Sequence, residues 1–181
     1  MVGVARLVAA VRRGAGEMRS RFLRHVLTTR WHLRRKFTPA IAEEIERAIR
    51  HSERSHAGEL RVAIETSLTL NDLAAGITAR ERALEVFNEL QVWDTAQNNG
   101  VLVYVLHAEQ ALEIVADRGY NAHVEAAVWI ALCSEATTAF RAEQYGLGMT
   151  RLVAGIGAVI AQHFPPHTRD ANELPDAPLF L

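Results

Sequence analysis

Side chains able to offer oxygen to a hard cation gather in two short stretches of this sequence. The first is the polar run Trp93-Asp94-Thr95-Ala96-Gln97-Asn98-Asn99-Gly100, and the second is Asp117-Arg118-Gly119. Calcium and magnesium prefer carboxylates, amide carbonyls and water over nitrogen or sulfur, so Asp94, Asn98, Asn99 and Asp117 form a chemically coherent ligand set. Arg118 adds a fork of donors suited to a phosphate or another anion. The same residues also have a plainer reading. Asn-Asn-Gly is a common turn, and Asp117-Arg118-Gly119 is a common way to end a strand.

Whether these residues meet depends on the elements that carry them. Val101-Leu102-Val103-Tyr104-Val105-Leu106-His107 is a continuous apolar run rich in β-branched residues, the pattern of a central strand covered on both faces. Ala111–Asp117 follows as a third strand and hairpin partner. With the turn centred on Glu109, opposed residue numbers sum to about 218. Asp117 then lies across from Val101, beside Asn98, Asn99 and Gly100.

Upstream, Glu59–Glu65 alternates polar and apolar residues as a strand with one covered face. If it runs parallel to the second strand, Glu59 begins at the same end of the sheet and Glu65 finishes at the other. Asn71–Ile77 is a connection. Thr78 and Glu81 make a capping box opening a helix to about Leu90, whose Ala83, Val86, Phe87 and Leu90 face the sheet in a β-α-β unit. Thr38-Pro39 opens an earlier helix with Ile41, Ile45, Ala48 and Ile49 inward, ended by Gly58. Two helices, about His123–Phe140 and Gln144–His163, close the domain, and Gly146, Gly148, Gly155 and Gly157 let the last pack closely. The tail from Pro165 reads as irregular.

Charge divides the 181-residue chain. Residues 1–36 carry ten Lys/Arg against Glu17 alone, net +9, and the remainder carries ten against twenty acidic groups, net −10. Within the basic arm Val4, Leu7, Val8, Val11, Ala15, Met18 and Phe22 recur at helical spacing. Such a helix lies on an anionic membrane, docks on a partner or covers its own domain. Nucleic acid is not expected, since Phe22 and Trp31 alone interleave the arginines. Arg6, Arg12 and Arg13 interrupt any signal-peptide core, and Leu152–Ala161 is too short to span a bilayer. One cysteine, Cys133, excludes an internal disulfide and reads as core packing. The eight histidines are scattered without zinc-ligand spacing, and Trp31, Trp93 and Trp129 read as packing residues.

From Phe37 to Pro165 the sequence resembles the TPM domain family. The shared landmarks are Gly58-Glu59-Leu60-Arg61-Val62, Asn98-Asn99-Gly100-Val101-Leu102-Val103, Ile114-Val115-Ala116-Asp117-Arg118-Gly119-Tyr120, and Phe140-Arg141 followed by Tyr145-Gly146-Leu147-Gly148. The resemblance implies an α/β fold, with a mixed sheet of three to four strands sandwiched between helices. It also implies a divalent-cation site in a cleft at one sheet end, where Asp94, Asn98, Asn99 and Asp117 fall, and acid phosphatase activity in some plant members; Glu59 joins the cleft through the parallel reading of its strand. The expected organisation is a basic arm at 1–36, the TPM-like domain at 37–165 and a tail at 166–181. The expected function is a cation-binding module, calcium preferred over magnesium, acting near a membrane or protein partner through the arm, in the cytoplasm or at the inner membrane face. The alternative is metal-assisted hydrolysis of phosphate esters. That alternative lacks familiar machinery, since the chain has no cysteine-loop-arginine nucleophile, Gly-rich phosphate loop, Asp-x-Asp pair or His-x-x-x-His helix.

Overall fold

The structure, a computed structural model, describes residues 15–166 and 172–181. Val4, Leu7, Val8 and Val11 of the arm's apolar series lie outside the described residues. The arm continues as helices α1 (Ala15–Leu27) and α2 (Arg30–Lys36), and Leu33 of α2 already reaches the core. Helix α3 (Pro39–Glu53) starts where expected, with Thr38 Oγ1 accepting from Ile41 N–H at 3.3 Å and proline at the first helical position. It ends at Glu53, before Gly58.

Strand β1 (Leu60–Glu65) is buried at every residue, not on one face only. Its polar side chains survive burial because partners from elsewhere satisfy them. Arg61 donates to the carbonyls of Pro175 and Ala177, at 2.7 and 2.5 Å, and Glu65 accepts from Tyr104 and Arg82. The expected connection at Asn71–Ile77 is largely helical: α4 (Leu70–Ala75) is opened by a Thr69/Asp72 capping box and closed by Gly76 at φ 76°. Helix α5 (Ala79–Glu89) begins at the Thr78/Glu81 box.

Strand β2 (Val101–Leu106) pairs parallel with β1, as the β-α-β reading requires, and antiparallel with β3 (Ala111–Ala116). Helices α6 (Ala126–Arg141) and α7 (Tyr145–His163) follow. The tail is not wholly irregular, because Leu179–Phe180 adds β4 parallel to β1 at Ala63 and Ile64. The sheet order is β3-β2-β1-β4.

Alternation sorts the strand residues between two helical layers. Leu60, Val62, Ile64, Val101, Val103, Val105 and Ile114 face Ile45 and Ile49 of α3 and Leu152, Val153, Ile156 and Ile160 of α7. Ala63, Leu102, Tyr104, Leu106 and Val115 face Ala83, Val86 and Phe87 of α5. Full burial of each large aliphatic chain contributes about 1.5–3 kcal/mol, so the sheet's rigidity is a property of both layers. The apolar stretch Leu152–Ala161 lies within α7, against the sheet. Among the described residues no helix is long and apolar enough to cross a membrane.

Helices α3 and α7 approach closely at Gly157, where a Cβ would overlap Ser52 Oγ. Gly157→Ala is therefore expected to destabilise the protein by about 1–3 kcal/mol, despite alanine's advantage of about 1 kcal/mol inside a helix. Urea denaturation reads the result, and an unchanged or raised midpoint would show that the helices can part at no cost.

Candidate functional site

At the end of the sheet where β2 begins and β3 finishes, the chain is held by a tight set of backbone bonds. Asp117 N–H donates to Gly100 O at 2.9 Å, Gly119 N–H to Asn98 O at 3.0 Å, and the Tyr120 hydroxyl to Asn99 O at 2.8 Å. Gly100 is required there, because a Cβ would collide with the Val92 carbonyl. Asn98 takes the left-handed conformation at φ 53°, which asparagine tolerates better than most residues.

Two side-chain oxygens at this end stand apart. Asn99 is only 2% exposed; its Nδ2 donates to Ala57 O at 2.7 Å, its N–H donates to Thr95 Oγ1 at 3.0 Å, and its Oδ1 is buried with no hydrogen-bond partner. Asp117 is 9% exposed; its Oδ1 accepts from Arg118 N–H at 2.6 Å, and its Oδ2 is likewise buried and unpartnered. Tyr120 bonds to both residues, its hydroxyl donating to Asn99 O and its N–H to Asp117 O at 3.2 Å. Burial pushes its phenol well above the ordinary range and the Asp117 charge pushes it further, so it stays protonated to donate to Asn99 O.

The remaining expected residues are placed differently. The Asn98 side chain is engaged by Arg118, whose Nε and Nη2 donate to Asn98 Oδ1 at 2.8 and 2.5 Å. Asp94 is exposed on the preceding turn, and its N–H donates to Gln91 O at 2.9 Å. Glu59 is buried and turned toward the tail, accepting from Leu174 N–H at 3.1 Å. The hairpin register also differs by one residue from expectation. Val101 faces Ala116, so Asp117 lies opposite Gly100. In a regular ladder that shift would send Asp117 to the other face from Asn99. The ladder ends at Val101 and Ala116, however, and beyond it Asp117 caps the short 3-10 turn Arg118–Tyr120. Trp31 and Trp93 are exposed instead of packed, whereas Trp129 meets Tyr120 edge-on at 5.6 Å.

The sequence of the TPM domain matches residues 35–159. The chain belongs to the TPM domain family. Five solved chains also match, among them the NMR structure of the BA42 protein from the psychrophilic bacterium Bizionia argentinensis. It is 28% identical, with a TM-score of 0.70 over 80% of this chain and 94% of that one. No curated protein matches.

This TPM domain carries, at the same sheet end, a group of carboxylates of which sequence reasoning named Glu59 alone. Glu53 Oε1 accepts from Leu60 N–H at 3.2 Å, Glu59 binds the tail, Glu173 Oε2 accepts from Ala96 N–H at 3.1 Å, and Asp176 Oδ2 accepts from Arg50 Nε at 3.0 Å. Only the tail's fold-back unites them, so no spacing could have disclosed the group. Among the described residues no cluster of three or more His, Cys, Asp or Glu side chains could hold a metal ion. Burial above all, against the lowering bond from Leu60 N–H and with the added charges of Glu59 and Asp176, pushes the Glu53 carboxyl up to about 8.

A carboxyl raised in the folded state binds its proton more tightly there than in the unfolded chain, so its contribution is present at low pH. That contribution is lost as pH rises from about 4.5 toward about 8. Glu53→Gln mimics the protonated form, and its melting temperature minus that of the parent is expected to grow across this window. A difference that stays flat or shrinks with pH would contradict the assignment.

Proposed function

We propose that this TPM domain is a divalent-cation-binding module, with calcium preferred over magnesium, that holds a binding surface in shape instead of turning over a substrate. The observation that carries this reading is the pair of buried, unpartnered oxygens, Asn99 Oδ1 and Asp117 Oδ2. Each unsatisfied buried polar atom costs about 1–3 kcal/mol, and more for a charged one. A water beside either oxygen could supply a hydrogen bond, but a cation would also offset the Asp117 charge in a low-dielectric setting. Carbonyls and water from the irregular loop at 93–100 would complete the shell, and such flexible oxygen geometry suits calcium better than the strict octahedron of magnesium. The cation would tie this loop to the turn after Asp117.

Phosphate-ester hydrolysis is the weaker reading of the same site. The Arg118 fork that would receive a phosphate already spends two donors on Asn98 Oδ1. In this proposal the basic arm meets a membrane or protein partner, and the protein works in the cytoplasm or at the inner membrane face. Thermal denaturation with calcium, magnesium or matched sodium chloride tests the cation reading, alongside turnover of p-nitrophenyl phosphate. A calcium-specific rise with turnover equal to buffer supports the module. A melting temperature indifferent to millimolar calcium overturns it, and calcium-dependent turnover would move the reading to catalysis.

A further inference from the structure

We propose that the outward face of α1 and α2 docks on an anionic lipid bilayer. This names the partner of the basic arm and rests on the reading of that arm as the docking element; it does not depend on the cation site.

The amphipathic helix α1 is mounted with its polar side inward. Arg21 and His25, 6% and 3% exposed, point into the domain. Arg21 Nε donates to Glu109 Oε1 and its Nη2 to Ile77 O, both at 2.5 Å. His25 Nδ1 accepts from Leu68 N–H at 3.0 Å, which leaves the ring proton on Nε2, 3.0 Å from Glu109 Oε1. Burial alone would raise the Glu109 carboxyl, but the bonds from Arg21 and His25 hold it below the usual range. Arg21 and His25 of α1 are thus engaged by the domain.

Much of what faces water is apolar. Met18, Phe22, Leu23, Val26 and Leu27 of α1 and Trp31 of α2 are 44–68% exposed. At 100° per residue the α1 side chains sweep about half the helix circumference, opposite or flanking Arg21 and His25. Arg19, Arg24, Arg30, Arg34 and Arg35 are exposed around them, and residues 18–36 contain no Asp or Glu. The Arg35 guanidinium sits over the Trp31 ring at 4.8 Å, joining a cation to an aromatic suited to the headgroup boundary.

Charge complementarity selects among the occupants. An apolar face whose charged neighbours are all basic matches a surface that is greasy beneath and negative above. A second copy meeting it face to face would oppose one arginine rim to another. The acidic remainder of the chain, net −10, would be repelled from the same bilayer, which orients the arm toward it.

The test is co-sedimentation of the full-length protein with phosphatidylcholine vesicles, with and without about 30 mol% phosphatidylglycerol, in EDTA. Expected are binding at least about tenfold tighter to the anionic vesicles, weakening in high salt, and quenching of Trp31 by brominated lipid. Leu23→Glu with Leu27→Glu should abolish binding at an unchanged melting temperature, both positions being exposed. Equal partition to the two vesicle types overturns the proposal. So does a Leu27→Cys thiol closed to maleimide without lipid, which would mean that residues 1–14 or another copy cover the face. A dimer dissolved by the double substitution would sink the lipid while keeping the arm as a docking element, and binding to neither vesicle nor protein would sink both. Vesicle binding that needs calcium and is lost in Asp117→Ala would assign the contact to the cation site instead.

Discussion

Asp117→Ala is expected to remove the calcium-induced rise in melting temperature while leaving the folded baseline intact. For a site filled at about one hundred times its dissociation constant, ligand linkage adds about 2.7 kcal/mol. In a domain of this size that is a rise of about 5–10 °C. The substitution deletes the buried Oδ2 together with the Oδ1 that accepts from Arg118 N–H. Without cation the variant should melt near or above the parent, because an uncompensated buried carboxylate is gone. Asp117→Asn keeps both the cap and a neutral oxygen, so it should retain a reduced calcium response. A full response in Asp117→Ala would place the cation elsewhere and overturn the site.

The second large effect concerns stability. Arg82→Ala should lower stability by about 3 kcal/mol or more, a fall in melting temperature of about 6–12 °C. Arg82 on α5 donates from Nε to Glu65 Oε2 at 3.1 Å, and from Nη1 to Glu85 Oε2 and Glu89 Oε1 at 3.1 and 2.8 Å. Glu85 and Glu89 are substantially exposed and can turn to water, but Glu65 is 6% exposed at the end of β1. Removing Arg82 leaves that carboxylate with the Tyr104 hydroxyl, 2.6 Å away, as its remaining side-chain donor. Adding Glu65→Gln to Arg82→Ala should restore part of the loss. If the double variant is less stable than Arg82→Ala alone, the cost lies in lost packing of the arginine stem and not in a stranded charge.

The architecture was largely legible because hydrophobic periodicity and caps agree with the fold. Thr38, Thr78 and the run Val101–Leu106 lie where simple rules place them. Most of the errors share one cause, namely partners remote in sequence. Pattern reveals that α1 has two unlike faces but not which one is inward, and Glu109, which decides it, is 88 residues from Arg21. Alternation assigned β1 one wet face, yet the tail and Arg82 satisfy Arg61 and Glu65 from afar. The hairpin register missed by one because Gln110 takes a left-handed conformation, φ 51°, after a single 3-10 turn. The candidate site was legible as a meeting of backbones, through family landmarks. Which oxygens remain without a partner depends on Ala57 and Arg118, and no spacing rule reaches those.

The β2–β3 pair closes through only four residues, His107–Gln110, so its zipper starts at Leu106 and Ala111 and finishes at Val101 and Ala116. Asn99 and Asp117 lie just past that last rung, where the bonds from Asp117 N–H to Gly100 O and from Gly119 N–H to Asn98 O keep the two ends of the hairpin joined. Whatever else clasps those ends adds to bonds that already hold the ladder shut, and it would be read as slower amide exchange at this end with the average shape unaltered.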